Sequence, residues 1–567
     1  MNRPPRGGVG GGGGPLPPHL TNQNQLSELQ QKVAQKYGAF GARPDDEEID
    51  RKVLADNFLK PTLQIMGAIF LATLFVSFAT GPKFAAPGMW ANSFRLDSAL
   101  VVVWGPLLYW VMAKQRVWKS LRIYLVLALF IEPFSEAMFR DQGAVASGEG
   151  GYWDTIMWPA AVAFYGTLKE FAGVPGASLS VFFFVTVGLL YRAVKGKKPE
   201  GWTPPPKFAR QALLTFLGTV VGLAVFGILR GGAIEPAFRQ TIYLIQLPLV
   251  ALLFLYALRI PEDLASVGTA FVCAALARSL LVMYIYFGVC APAGITQLPG
   301  KPEWCTNHSD SVLFVTALTI LLAHSLEQRS KKVIVRSLML AAPILLGIVL
   351  NNRRLAFVSL AAAPMVIYLA LKPSRRKRRV TWVLALSVPL LIGYVLVGAE
   401  MASASPIFKP AKLVLSVMDQ KDTSSISRDV ENENLIYTLR ASPLGIVTSG
   451  FGHEYQNSPD NPPVDIGELF KNYKYIAHNG VLWIWSLAGV VGFTLLWIIY
   501  PLGATLALRG YRSAQTALER SAALVALGSV VTCVIQIWGD QGFNSYMTLI
   551  TFGVSFAVAT RLAARAA

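Results

Sequence analysis

The chain has 567 residues, 53% hydrophobic and only 15% charged, where a soluble protein carries about a quarter charged residues. No aqueous core buries such an apolar excess, so a soluble globular domain is excluded. The net charge of +18 does not make a nucleic-acid surface either. Its Lys and Arg sit in short loops separated by apolar runs, so no contiguous basic face forms.

Residues 1–62 begin with a Gly/Pro-rich stretch from Gly7 to Pro18 and continue as a polar segment. They lack the apolar core of a secretory signal and read as a cytoplasmic tail, partly disordered. Fourteen apolar runs follow, each of a length that crosses a hydrocarbon core of about 30 Å. They lie near 63–80, 97–113, 119–137, 176–194, 212–229, 241–258, 265–289, 310–327, 333–350, 355–371, 380–398, 480–506, 520–538 and 543–562. With the N-terminus inside, the basic loops Lys114–Arg122, Arg192–Lys198, Arg329–Lys332 and Arg375–Arg379 all face the cytoplasm, as positive-inside topology requires. Trp153 to Phe171 is also apolar, but a full crossing there would turn Arg192–Lys198 outward, so it reads as an interfacial or re-entrant helix. The expectation is an all-α polytopic bundle, with membrane segments in 63–398 and 480–567 and both termini cytoplasmic. A large outer loop spans 399–479. A loop of that length is commonly a functional element.

Cys273 and Cys533 fall inside apolar runs. Cys290 and Cys305 bracket a short outward-facing loop, where oxidising conditions favour a structural disulfide.

Four features carry candidate chemistry. Arg353 and Arg354 follow Asn351–Asn352 at an outer turn, against the positive-inside bias. They either snorkel to lipid headgroups or bind an anion through bidentate guanidinium contacts. Ser424 to Ile436 reads as an amphipathic helix with Arg428 in its first turn, followed by Pro443–Leu444–Gly445 and Gly450–Phe451–Gly452. There Arg428 either recruits a phosphate or pairs with Glu431. His478, in Ala477–His478–Asn479–Gly480, enters the next span. An imidazole at this rim can accept a proton from an attacking hydroxyl, or be only a polar surface residue. His453 is a second such imidazole. Arg278 sits in mid-span and needs a partner or wet cavity, and Arg230 and Arg239 could join it in one basic pocket. No His or Cys spacing suits a metal, no Walker A sequence occurs, and no cofactor is expected.

Taken in order, these motifs resemble the O-antigen ligase / O-antigen polymerase superfamily of bacterial membrane glycosyltransferases. The likeness covers roughly 340–500: an Arg opening a span (Arg354–Leu355–Ala356–Phe357), a large loop with Ser425–x–x–Arg428, the Pro-Leu-Gly and Gly-Phe-Gly runs, a closing His478–Asn479, and Gly489–x–x–Gly492 in the next span. The resemblance implies an inner-membrane enzyme with a periplasmic site. Its donor would be an undecaprenyl-pyrophosphate-linked glycan and its acceptor a glycan or lipid, among membrane lipids and without nucleic acid. Arg354, or Arg353 where family members often have Ser-Arg, would hold the pyrophosphate with Arg428, and His478 would activate the acceptor hydroxyl. Polymerisation of surface-polysaccharide repeat units is the preferred activity. Ligation of polymer to lipid A-core is the alternative, and a lipid-linked-oligosaccharide flippase or transporter is the reading from another class.

Overall fold

The computed structural model describes residues 58–79, 106–131, 164–165, 179–198, 202–261, 263–292, 294, 296, 305–328, 330–401, 408, 411, 423–441, 448–461 and 474–565. The chain divides after Pro61 into two units, and the expected tail lies almost wholly outside the described residues. The described residues are built mainly from helices. In chain order they are α1 (Lys60–Ala79), α2 (Val117–Phe130), α3 (Val181–Lys195), α4 (Lys207–Leu229), α5 (Ile234–Ala257), α6 (Leu264–Met283), α7 (Asp310–Glu327), α8 (Lys331–Asn351), α9 (Arg354–Ala370), α10 (Arg375–Met401), α11 (Thr423–Arg440), α12 (Gly480–Trp497), α13 (Ile499–Ser513), α14 (Ala517–Gly539) and α15 (Tyr546–Ala564). A π-helical turn, Tyr284–Cys290, extends α6.

Nine of the described helical elements are long and apolar enough to cross a membrane. Each coincides with an expected span, but the expected total of fourteen is not reached among the described residues. Of the run at 119–137, α2 covers the described part up to Phe130, residues 132–137 lying outside the described residues, and α3 is a 15-residue helix. The run at 355–371 becomes the 17-residue α9, and most of 97–113 is outside the described residues. The span expected at 480–506 is longer, running through α12 and α13 to Ser513. Of the segment Trp153 to Phe171, only Phe164 and Tyr165 are described. Both are buried, with Phe164 edge-on to Phe182 and the Tyr165 hydroxyl donating to the Ala128 carbonyl at 2.7 Å.

Local chemistry sets the helix starts. Thr516 and Glu519 close a capping box on α14, and Ser545 and Asn479 accept from the third residue of α15 and α12, each satisfying an otherwise orphaned N–H. In the core, α15 packs on α5, α13 and α14, and α14 packs on α7 and α9. Small residues permit this closeness: a Cβ at Gly553 would lie 2.9 Å from Val250, and one at Gly528 2.9 Å from Thr319. In lipid, such close backbone approach replaces the hydrophobic drive that water would supply.

The bundle has two distinct ends. At one, Glu327 of α7 meets Arg520 of α14, Arg565 meets Glu519, and the basic starts of α8 and α10 lie at the matching helix termini. At the other, the starts of α7, α9, α12 and α15 meet the ends of α8 and α14 and the helix α11.

Candidate functional site

The polar end is assembled from four turns and one helix. Between α8 and α9 the chain reverses at Asn352, whose left-handed backbone (φ 57°, ψ 36°) suits Asn better than a branched residue. Asn351 beside it is buried; its Oδ1 accepts from the Thr306 and Cys305 amides at 2.8 and 3.2 Å, and its Nδ2 donates to the Asn307 carbonyl at 3.3 Å. That ties the loop before α7 to this turn. Arg353, at the N-cap of α9 and 7% exposed, directs Nη2 to the Thr306 carbonyl at 3.4 Å. Arg354 is the first residue of α9 and half-buried.

The tied loop carries His308, whose Nδ1 is hydrogen-bonded to the Asp540 carboxylate at the end of α14. Arg428 of α11 reaches the other oxygen of Asp540 at 3.8 Å, and Arg353 acts on both His308 and Asp540 through its charge. Burial, reinforced by Arg353 and only partly opposed by Asp540, lowers the His308 pKa to about 4. Burial works against the Asp540 charge as well, but His308, Arg428 and Arg353 outweigh it and hold this carboxyl well below the usual carboxylate range. At neutral pH the cluster is therefore two guanidinium ions, one carboxylate and a neutral imidazole.

Helix α11 begins at Thr423, so Arg428 stands in its second turn, one turn later than expected. Arg428, Glu431 and Asn432 share a face through their i, i+3, i+4 spacing. Glu431 does not pair with Arg428. Its carboxylate accepts from the His478 amide at 2.9 Å and from Nδ1 at 3.2 and 3.3 Å. Asn479 donates to Asn432 Oδ1 at 3.0 Å, and the Gln541 amide donates to the His478 carbonyl at 2.9 Å. Gln541, itself left-handed at φ 53°, follows Asp540 directly. The two histidine–carboxylate pairs, His478–Glu431 and His308–Asp540, thus share one joint. An Nδ1–H donated to Glu431 leaves the imidazole lone pair on Nε2, the tautomer of a general base.

The remaining expected residues go elsewhere. Arg278 is 2% exposed and grips Asp310 with two bonds, 2.5 Å from Nε and 3.0 Å from Nη2, so its costly position is answered by a buried ion pair. Arg230 is exposed, its guanidinium 5.7 Å from the Phe226 ring centre, and Arg239 pairs with Glu235 at 2.9 Å. These three do not form one basic pocket. The His453 Nε2 lies 3.0 Å from the Gly227 carbonyl at the end of α4, fastening the Gly-Phe-Gly turn to the bundle. In that turn Gly450 and Gly452 have φ 79° and 99°, and the Phe451 side chain is fully buried. Cys290 and Cys305 are both buried thiols, with Cys305 Sγ donating to the Leu350 carbonyl at 3.5 Å, so the disulfide expected between them is not formed.

The turn also explains a break in α12. Gly489 adopts φ 64°, ψ −177° inside that span, which deprives the preceding carbonyls of helical partners. Leu487 instead accepts from the Gly450 amide at 3.0 Å and Ser486 from the Thr448 hydroxyl. The long loop therefore completes the broken helix that carries His478.

Sequence reasoning missed His308 and Asp540. Each is a polar residue at the rim of an apolar run, but 232 positions of chain separate the loop of one from that of the other, and nothing local couples them. Among the described residues, no group of three His, Cys, Asp or Glu side chains is placed to hold a metal ion. The arrangement can bind an anion between Arg353 and Arg428 and remove a proton at His478. Residues 338–497 match the family model described as O-antigen ligase, in line with the O-antigen ligase/polymerase superfamily, and the match takes in α9, α11 and His478. No curated protein matches the chain.

Proposed function

We propose, proceeding from that family match, that this integral membrane protein is a glycosyltransferase of surface-polysaccharide assembly whose donor is an undecaprenyl-pyrophosphate-linked glycan. The observation that carries the reading is the meeting of Arg353, Arg428 and His478, far apart in sequence, around Asp540 and Gln541. Arg353 is preferred over Arg354 for the anion because its field reaches Asp540 and His308. The two arginines hold the diphosphate and stabilise the charge that builds as it leaves, the task in which preorganised cations are most effective. Glu431 orients His478, whose Nε2 takes the proton of the acceptor hydroxyl. The hydroxyl oxygen then bonds the anomeric carbon as the carbon–oxygen bond to phosphate breaks, and the electron pair leaves with the lipid diphosphate. The displacement is in line, with inversion, and is assigned no metal and no nucleotide sugar.

The site is assigned to the periplasmic face of a bacterial inner membrane, because the basic loops gather at the opposite end of the bundle and cytoplasmic loops carry the Lys/Arg excess. Residues 1–62 are assigned as the cytoplasmic tail, 399–479 as the periplasmic loop, and the C-terminus as cytoplasmic. The preferred acceptor is the next lipid-linked repeat unit, making the enzyme a polymerase. The family description itself favours the second reading, ligation to lipid A-core. Purified protein incubated with lipid-linked repeat units decides between them. A ladder of products without core lipid supports the polymerase, while product only when core lipid is added supports the ligase. Unchanged polysaccharide in cells carrying His478→Ala, Arg428→Ala and Arg353→Ala, at normal protein levels, would remove the catalytic assignment.

A further inference from the structure

His308 has no role in the reaction outlined above, yet it lies in the field of both arginines assigned to the diphosphate. It precedes α7 and faces Asp540 from the end of α14, Arg353 from the N-cap of α9 and Arg428 from α11. On its own element, Asp310 is already held by Arg278. Without a ligand, two guanidinium ions outweigh one carboxylate, and that surplus of positive charge opposes a third cation. A diphosphate diester reverses the balance. Its negative charge exceeds the surplus, and in a site of low dielectric an uncompensated anion is costly. The group that can restore neutrality is the imidazole, since guanidinium does not titrate and the carboxyl is held ionised. Asp540 already accepts a hydrogen bond from Nδ1, which would stabilise the imidazolium once it forms.

We propose that His308 is a ligand-coupled proton acceptor of the diphosphate site: it takes one proton from solvent onto Nε2 when a diphosphate docks beside Arg353 and Arg428, and releases it when the diphosphate departs. This rests on the proposed diphosphate site and adds to it. The protonated imidazole becomes a third cation next to the anion, present while the anion is bound and withdrawn afterwards. Binding and release are thereby coupled to pH. The charged form belongs to the bound state, so affinity is greatest below the free-state midpoint, falls by about tenfold per pH unit between the free-state and bound-state midpoints, and levels off above the latter. His308 acts here as a positioning and charge-balancing residue, and the hydroxyl chemistry stays with His478.

The test is calorimetric and uses the full-length protein in nanodiscs. The probe is a P1,P2-dialkyl diphosphate, which has no group of its own that titrates near neutrality. Titrations at about pH 6 in buffers of different ionisation enthalpy report the protons taken up per probe bound. The expected result is uptake approaching one proton for wild type and for His478→Ala. In His308→Gln, the expectation is binding with no uptake and an affinity no longer dependent on pH between 5 and 8. Wild-type binding without uptake, or equal uptake by His308→Gln, would overturn the inference while leaving the diphosphate site standing. Failure of wild type to bind the probe at all would overturn the site and the inference together. Should His308→Gln not fold, His308→Asn is measured under the same criteria, and the wild-type uptake alone still decides against the inference if it is zero.

Discussion

Two Arg–Asp pairs lie near the same end of this bundle and have opposite characters. Arg278 and Asp310 are 2% and 0% exposed and bonded at 2.5 Å, inside the helices. Arg428 and Asp540 are 33% and 10% exposed and separated by 3.8 Å, at the rim. The inner pair is closed: Arg278 gives Nε and Nη2 to Asp310 and Nη1 to the Phe130 carbonyl at 3.3 Å, and burial shields both charges from solvent. The outer pair is loose, and its carboxylate is shared with His308 and lies in the field of Arg353. A closed pair holds helices in place. A loose one in a field of surplus positive charge is the feature on which the proposed anion site rests. The difference teaches that an arginine's depth alone does not mark a functional site, and that the looseness of its pairing says more.

Breaking the inner pair should have the largest effect. Asp310→Asn strands a buried guanidinium, so a loss of about 3–5 kcal/mol is expected, measured as a fall in thermal midpoint of the detergent-solubilised protein. The outer pair should behave in the opposite way: Arg428→Ala leaves that midpoint nearly unchanged while the transfer rate drops about 10²–10³-fold. Equal loss of stability in both variants would erase the contrast. A pH series sharpens it further. The His308 pKa lies at about 4, below the ordinary 6.5, so between those values the unfolded chain binds more protons and stability falls as pH is lowered, by up to about 3 kcal/mol. His308→Gln should flatten that slope. At the turn that holds the loop to the bundle, a Cβ on Gly227 would sit 1.8 Å from the Phe451 carbonyl oxygen. Gly227→Ala should therefore cost about 1–3 kcal/mol and make the Gly450–Phe451–Gly452 turn cleavable by protease. The exposed pair Arg239–Glu235, one helical turn apart at 2.9 Å, sets the lower limit. Glu235→Gln should change stability by less than about 0.5 kcal/mol.

The membrane class of the chain and the positions of the nine long apolar helices among the described residues could be read directly from the sequence, because a hydrocarbon solvent imposes length and polarity on every span it contains. His478, Arg428 and the Arg353–Arg354 turn were also visible as motifs, since polar groups at the rim of apolar runs stand out against their surroundings. Beyond that, local pattern had little to say. It could not say which of Arg353 and Arg354 faces the loop before α7, because that depends on the left-handed turn at Asn352. It allowed Arg428 to pair with Glu431, whereas the fold sends Glu431 to His478 and Arg428 to Asp540.

The amino-acid order alone thus determined the membrane class of the chain and the positions of the long apolar helices among the described residues, for those are properties of hydropathy over a few consecutive residues. Tertiary structure alone decided the partners: that Arg278 is neutralised by Asp310, that His453 serves as a fastener, and that His308 and Asp540 join the arginines. Electrostatic and hydrogen-bond partnerships act over a few ångströms of space, and those distances come into being only when helices remote in sequence pack end beside end.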